Sequence, residues 1–166
     1  MKTKSFIVAF TLFANPAMGC VIFAPSITIP TTLYLAPKKD SLTQQIDLLL
    51  PLLAHVESNG NPKAVGDGGK AIGIYQIHQS YWQDATQYDK TIGGKYQDCF
   101  DSVYAERIVR AYFRRYAPKN ATIEQLARLH NGGCNILKKQ NTKAWENTTK
   151  YWQKILCAQK LKGETW

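Results

Sequence analysis

The sequence predicts a mainly α-helical fold with at most a small β-hairpin. Apolar residues recur at helical spacing in several segments, capping residues precede these segments, and the alternation of strands and helices typical of a parallel sheet is missing. The chain has 166 residues, of which 45% are apolar, so one domain with a sizeable core is expected. Residues 60–71 form a turn-rich loop, and residues 71–77 are typical of a short strand or turn.

The first helix is predicted to begin at Asp40 or Ser41, either of which can cap it. It should end at Asn59-Gly60, a typical stop signal, and Pro51 either kinks it or begins a second segment. Glu57 therefore falls at the C-terminal end of a largely buried segment. The apolar stripe of this helix is Leu42, Ile46, Leu49, Leu50, Leu53 and Val56.

Four further helices follow from the same patterns. A short one covers residues 79–85, and an amphipathic one runs from Asp101 or Ser102 to Tyr116, with the arginines of 107–115 on a solvated face. Thr122 and Gln125 form a capping box that opens a helix stopped by two glycines at 132–133. The last helix has one face made of Trp145, Thr148, Thr149, Trp152 and Leu156.

The N-terminal residues are predicted to lie outside the domain, which we place at residues 40–166. Two lysines, a short apolar run and a small-residue site are typical of an export signal over residues 1–19. Residues 20–39 contain three prolines and indicate an extended arm or linker. An uncleaved membrane anchor is the alternative, although the apolar run is too short to span a bilayer. Cleavage after Gly19 would expose Cys20 in a context that resembles a weak lipobox, so lipid attachment there stays open.

The net charge and the cysteine content limit which partners and which cellular compartment are expected for the protein. The net charge is +9, which favours an anionic partner such as a bacterial wall, although a solvated basic surface is an equal alternative. Export to a secreted or periplasmic location favours a disulfide among Cys99, Cys134 and Cys157. The cysteines lack metal-site spacing and the three histidines are scattered, so we expect no metal or cofactor. We also expect a monomer, no nucleic-acid partner and no stable membrane insertion once the signal is removed.

Two carboxylates near the glycine-rich loop suggest acid–base chemistry. Glu57 ends a buried helix, where desolvation and the helix C-terminus both favour the protonated acid. Asp67 lies in Gly66-Asp67-Gly68-Gly69, a loop poor in side chains in which the carboxylate should be solvated and ionised. Such a pair of carboxylates divides the work of cleaving a glycosidic bond. A salt-bridged helix end at Glu57 and simple turn chemistry at Asp67 are the alternatives.

Longer blocks resemble a known family. VESNGNP, GDGGKAIGIYQIHQSYWQDA, YQDCFDSVYAERIVRAYFRRYAP, LARLHNGG and TTKYWQKIL occur in this order over roughly residues 42–156. They resemble the invertebrate-type (destabilase-like) lysozymes and their bacterial relatives, and more distantly the soluble lytic transglycosylases and goose-type lysozymes. The resemblance implies a lysozyme-like fold with two lobes around a substrate cleft. It also implies cleavage of the β-1,4 bond between N-acetylmuramic acid and N-acetylglucosamine of peptidoglycan.

The resemblance also implies roles for individual residues. Glu57 matches the family's general acid and Asp67 its second carboxylate, which would stabilise the oxocarbenium-like state, form a covalent intermediate or position water. The residues expected to bind the sugar are Tyr75, Gln76, Ile77, Tyr81, His130 and Asn131. The chain departs from typical animal members in having few cysteines and a shorter spacing between Glu57 and Asp67.

Three other functions stay open. In a lytic transglycosylase, Glu57 alone would act as acid and then base, and the products would carry 1,6-anhydro ends. A wall-binding module would keep the fold without activity. An isopeptidase activity has diffuse support from Ser58, Ser80 and the histidines.

Overall fold

The structure, a computed structural model, describes residues 40–161 and residue 163. The predicted export signal, the arm at 20–39 and Cys20 lie outside this part of the chain, so those interpretations stay predictions. None of the described helices combines the length and apolar character needed to cross a bilayer. The helices are α1 (Ser41–Ser58), α2 (Gln79–Tyr88), α3 (Ser102–Tyr116), α4 (Ile123–Gly132) and α5 (Lys143–Leu161), with short 3₁₀ turns at Asp67–Gly69, Tyr96–Phe100 and Ile136–Lys138.

The sheet is small and follows α1 directly. It consists of β1 (Val65–Gly66), β2 (Ala71–Ile72) and β3 (Ile77–His78), paired antiparallel in that order. The register places Gly66 opposite Ala71 and Ala71 opposite His78. The prediction of a mainly α fold is confirmed, and a third two-residue strand extends the expected hairpin.

Helix α1 is one continuous helix that is capped at both ends. The Asp40 carboxylate accepts the Thr43 N–H at 2.9 Å, as expected of an N-cap. Pro51 lies inside the helix on its exposed side and does not divide it. At the other end Asn59 adopts a left-handed conformation (φ 52°) and Gly60 N–H donates to Ala54 O at 2.9 Å, a geometry that ends helices. The predicted start and end are thus confirmed, and they fix the position of Glu57 two residues before the C-cap Asn59.

Helices α4 and α5 pack closely against each other. Their structure agrees with the sequence analysis except in one detail. The Thr122–Gln125 capping box is confirmed by two reciprocal hydrogen bonds of 3.0 and 3.2 Å. On α5, however, the buried face is centred on Tyr151 and Ile155, whereas Trp152 is only partly buried. The buried Arg128 of α4 donates to the Thr148 and Thr149 hydroxyls, and Tyr151 and Ile155 follow Thr148 at helical spacing on the same buried face. The buried residues of α5 are Thr148, Tyr151, Ile155, Ala158 and Gln159.

The arginine-rich side of α3 is more than a solvated face, so that expectation is wrong in part. Arg110 is only 22% exposed and forms ion pairs with Asp47 of α1 at 2.6 Å and with Glu106 at 2.7 Å. Arg115 lies 3.5 Å from the Asp84 carboxylate of α2. These contacts join α3 to α1 and to α2. Carboxylate partners are expected here, since a partly buried guanidinium is costly without them.

The predicted disulfide among the last three cysteines is wrong, because Cys99, Cys134 and Cys157 are all free thiols in the described structure. Cys99 is buried in the core, where desolvation raises the pKa of its thiol to about 12. Cys157 instead lies on the exposed side of α5, and Cys134 is half-buried beyond the end of α4. The three thiols thus lie in three different environments, and none of them is bonded to another.

Gly73 is required by a close backbone approach, which gives a stability prediction. Its φ is +76°, and a Cβ there would overlap the Cys99 carbonyl oxygen. Gly60 has a similar φ of +79°, yet nothing lies within 4 Å of a Cβ at that position. Gly60→Ala should therefore lower the free energy of unfolding by about 1–2 kcal/mol through backbone strain alone. Gly73→Ala should lower it by a further ~2 kcal/mol, because the overlapping atom belongs to backbone.

Urea unfolding of both variants measures this difference. Equal losses would show that the contact between Gly73 and Cys99 does not constrain the turn between β2 and β3.

Candidate functional site

A cavity of about 240 Å³ lies where the end of α1, the small sheet and the end of α4 meet. It brings together five of the residues predicted from the sequence. It also contains His78, which the sequence analysis did not include among the sugar-binding residues. The lining residues are Glu57, Asp67, Ala71, Gln76, His78, His130 and Asn131.

Glu57 is the most shielded carboxylate of this cavity. Its side chain is 19% exposed, and the Tyr151 hydroxyl of α5 donates to its Oε1 at 2.6 Å. Burial and the neighbouring Glu57 raise the pKa of Tyr151 well above its ordinary value, so this phenol stays a donor at every relevant pH. His130 Nε2 also approaches the same oxygen, at 3.6 Å. Among the described residues both contacts go to Oε1, which leaves Oε2 for a ligand.

His130 is a buried neutral histidine whose tautomer follows from its partners. Its Nε2 lies 3.1 Å from the Tyr75 carbonyl oxygen, which can only accept, so Nε2 carries the hydrogen. Nδ1 then accepts from the Tyr81 hydroxyl at 3.3 Å. Desolvation lowers the pKa of His130, and the nearby Glu57 opposes this only in part. At neutral pH the contact between His130 and Glu57 is therefore one of a dipole with a carboxyl group and not a salt bridge.

Asp67 has a strained backbone and an exposed side chain. Its φ is +51°, a conformation that non-glycine residues rarely adopt. Its carboxylate is 67% exposed, and Oδ2 lies 3.4 Å from His78 Nε2. A strained residue at a candidate site is consistent with a functional constraint. Because Asp67 and His78 line the same cavity as Glu57, the predicted pair of carboxylates shares one site.

Gln76 explains part of the glycine-rich sequence. Its backbone also has a positive φ, +47°, and its amide nitrogen donates to the Gly73 carbonyl at 2.9 Å. Its amide oxygen occupies the space that a Cβ at Gly66 would need. Gly66 therefore leaves room for a side chain of the protein, and not only for a ligand.

Three predicted sugar-binding residues have side chains in the core. Tyr75 and Ile77 are buried and do not line the cavity, so the expected contact between their side chains and sugar does not fit the structure. Burial raises the pKa of Tyr75 to about 12. Tyr81 stacks on Tyr112 with ring centroids 3.6 Å apart, so its ring face is covered by protein. The Tyr75 carbonyl oxygen and the Tyr81 hydroxyl instead hydrogen-bond His130 and so hold this histidine in the wall of the cavity.

The cavity continues to either side of His78. A space of about 390 Å³ shares His78, His130 and Asn131 with it and extends towards Tyr81 and Asp84. A second space of about 340 Å³ reaches Tyr96 through His78. Because the three spaces share His78, they adjoin one another and form an extended groove, and Glu57 lines the first of them. A groove of this kind suits a polymeric ligand.

Sequence reasoning missed Tyr151 and His78. Tyr151 is 94 residues from Glu57 in the chain, and the only local signal was its helical spacing of three from Thr148. His78 follows directly on the predicted Gln76-Ile77 segment and points to the opposite side of β3 from Ile77, as strand alternation requires.

Comparison with known proteins identifies the family of the chain. The model of the Destabilase family matches residues 48–157, which include every residue of the cavity and Tyr151. The chain belongs to the destabilase family. The predicted resemblance to invertebrate-type lysozymes is thereby confirmed.

Individual relatives of the chain are named lysozymes. The chain is 37% identical to a lysozyme of Ostrea edulis over 84 residues, which are 48% of this chain and 58% of that protein. It is 31% identical to lysozyme 1 of Crassostrea virginica over 89 residues, 51% of this chain and 43% of that protein. It is 32% identical to invertebrate-type lysozyme 6 of Caenorhabditis elegans over 113 residues, 61% of this chain and 82% of that protein. The match thus spans about half the length of the two oyster proteins.

The buried neutral His130 of this destabilase-family protein predicts a pH-dependent stability. Its folded pKa is lowered, so below about pH 6.5 the unfolded chain binds a proton that the folded protein excludes, and stability falls as the pH falls. Between pH 7 and 5.5 this loss should reach about 1 kcal/mol. The pKa values of Asp40 and Asp89 are lowered from 3.8. Their contribution to the stability of the folded protein is therefore lost only at more acidic pH.

Urea unfolding at several pH values, for wild type and His130→Gln, measures this slope. The variant should show a shallower fall over the same range, and the imidazole resonance of His130 should titrate below its ordinary range. An unchanged slope in the variant would contradict a neutral His130.

Proposed function

We propose that this destabilase-family protein is a muramidase that cleaves the β-1,4 bond between N-acetylmuramic acid and N-acetylglucosamine of peptidoglycan. One observation carries the proposal: the shielded Glu57 carboxyl, held by Tyr151, shares a groove with a second carboxylate at Asp67. The lysozyme names of its relatives support the substrate class. Export to a secreted or periplasmic location is part of the proposal and depends on the signal-like residues 1–19.

Glu57 acts as the general acid. Because Tyr151 donates to Oε1, the proton of the neutral carboxyl is carried by Oε2, the oxygen free for a ligand. Oε2 gives this proton to the glycosidic oxygen as the bond from that oxygen to the anomeric carbon breaks. Water then adds to the anomeric carbon and returns a proton to Glu57, so the enzyme is restored and the product has a reducing end.

Asp67 provides the second carboxylate. Its oxygens lie in the groove beside His78, where negative charge stabilises the positive charge that develops on the sugar ring. It does so as an ion, as a nucleophile or by positioning the water, which are the three roles open to the second carboxylate of a glycosidase. His78 holds Oδ2 and thereby orients the carboxylate.

Replacing the general acid should abolish catalysis without unfolding the protein. Glu57→Gln keeps the shape of the side chain and a partner for Tyr151, yet removes the transferable proton, so kcat should fall by about 10²–10⁴. Glu146→Gln on the exposed part of α5 is the matched control and should leave activity unchanged. Clearing of bacterial cell walls and release of reducing ends measure both.

Two results would contradict the muramidase. Equal clearing by wild type and Glu57→Gln would remove Glu57 from the mechanism. Products with 1,6-anhydro ends and no new reducing ends would identify a lytic transglycosylase, in which the 6-hydroxyl of the sugar replaces water.

Replacing Tyr151 should lower the rate of catalysis and leave substrate binding nearly unchanged. Tyr151→Phe removes the donor that keeps the proton on Oε2, so kcat should fall roughly tenfold with little change in KM. Tyr88→Phe, at an exposed tyrosine, is the control and should behave as wild type. A rise in KM with unchanged kcat would mean that Tyr151 shapes the groove instead of orienting Glu57.

A further inference from the structure

The positive charge of the described protein is concentrated towards its C-terminal end. Residues 40–132 contain ten basic and ten acidic side chains, whereas residues 133–161 contain six lysines and a single acid, Glu146. The body that carries the candidate site is therefore electrically balanced, and α5 with the turn before it is not. All six lysines are exposed: Lys138, Lys139, Lys143, Lys150, Lys154 and Lys160.

Three of these lysines align on α5. Lys143, Lys150 and Lys154 are separated by seven and four residues, so they lie on one side of the helix. With a rise of 1.5 Å per residue, they extend over about 16 Å of the helix axis. We call these three residues the lysine face.

The lysine face does not stabilise the helix on which it lies. Lys150 and Lys154 are like charges four residues apart, which repel, and Lys143 is in the first turn, where the helix dipole disfavours a cation. Lys143 has only an exposed ion pair with Glu146, at 3.4 Å. Within the described chain no carboxylate forms an ion pair with Lys150 or Lys154. The charges are therefore available to an external anion.

A mainly apolar groove adjoins the lysine face. It has a volume of about 440 Å³ and lies between α1 and α5. Lys154 belongs to both the groove and the lysine face, and Leu161 at the end of the groove is 82% exposed. A cationic stripe beside exposed apolar side chains matches a lipid surface, which presents anionic headgroups over an apolar layer. A hydrated polyanion, in contrast, has no apolar layer that could contact the apolar groove. The groove is lined by His55, Val56, Gln153, Lys154, Cys157, Ala158 and Leu161.

We propose that the lysine face and this groove form a peripheral docking surface for an anionic phospholipid bilayer. The lysines contact the headgroup phosphates, and Leu161 enters the boundary between headgroups and acyl chains without spanning the bilayer. Tyr151, which holds Glu57, lies on the buried face of the same helix, so docking through the exposed face leaves that contact in place. The proposal does not depend on the muramidase activity.

Binding to vesicles tests the proposal. The vesicles contain phosphatidylcholine with or without phosphatidylglycerol, and all variants are made in otherwise identical full-length chains. Lys143→Gln/Lys150→Gln/Lys154→Gln should bind the anionic vesicles roughly 10- to 100-fold more weakly than wild type. The control Lys90→Gln/Lys95→Gln/Lys119→Gln removes the same charge from exposed lysines elsewhere and should change affinity less than about threefold.

Leu161→Ser tests the apolar part and should weaken vesicle binding several-fold while binding of soluble polyphosphate stays unchanged. Three results would overturn the proposal: no preference of wild type for anionic vesicles, equal losses in the two triple variants, or no effect of Leu161→Ser on vesicle binding. The last result, with tight binding of polyphosphate, would identify a hydrated polyanion as the partner. Glu57→Gln should bind vesicles as wild type does, so this test and that of the muramidase fail independently.

Discussion

The hydrogen bond from the Tyr151 hydroxyl to Glu57 Oε1 is the interaction on which the site depends. It joins the first described helix to the last across 94 residues of sequence, so it exists only when the whole helical body has folded. Its geometry requires that α1 ends at the Asn59-Gly60 cap and that α5 turns its tyrosine inwards. The buried Arg128 and the close contact of Gly132 with Thr148 set the position of α5 against α4. A carboxyl group held in this way has one oxygen bonded to the protein and leaves the other available to a ligand.

The wall of the groove opposite Glu57 is formed by the small sheet and its turns. There a segment with very short strands is shaped by residues in unusual backbone conformations, and two of them, Asp67 and Gln76, are not glycines. Such strain persists only where the surroundings impose it. At Gln76 the side-chain amide donates to the Gly73 carbonyl oxygen, which holds this turn. In the proposed reaction, the shielded Glu57 on the helical side delivers the proton, and the exposed Asp67 on the sheet side adapts to the developing charge.

The helices and their ends could be predicted from the sequence because local chemistry determines them. Asp40, the Thr122–Gln125 box and Asn59-Gly60 act within one turn of the chain, and all three are confirmed. The centre of the buried face of α5 could not be predicted, because it depends on how α5 packs against residues of other helices that are distant in the sequence. Tyr151 as the partner of Glu57 was missed for the same reason. The burial of Tyr75 and Ile77 was missed because a short apolar run beside a loop reads equally as cleft lining and as core. The expected disulfide failed because compartment and cysteine number say nothing about whether thiols face one another.

The most direct test of the account is a crystal structure of the Glu57→Gln protein with a bound glycan fragment of alternating N-acetylglucosamine and N-acetylmuramic acid. The account predicts a bridging glycosidic oxygen within about 2.6–3.2 Å of the side chain at position 57, with Asp67 beside the same sugar ring and Tyr151 still bonded to position 57. A glycan bound away from this groove, or with its bridging oxygen beyond reach of position 57, would contradict it.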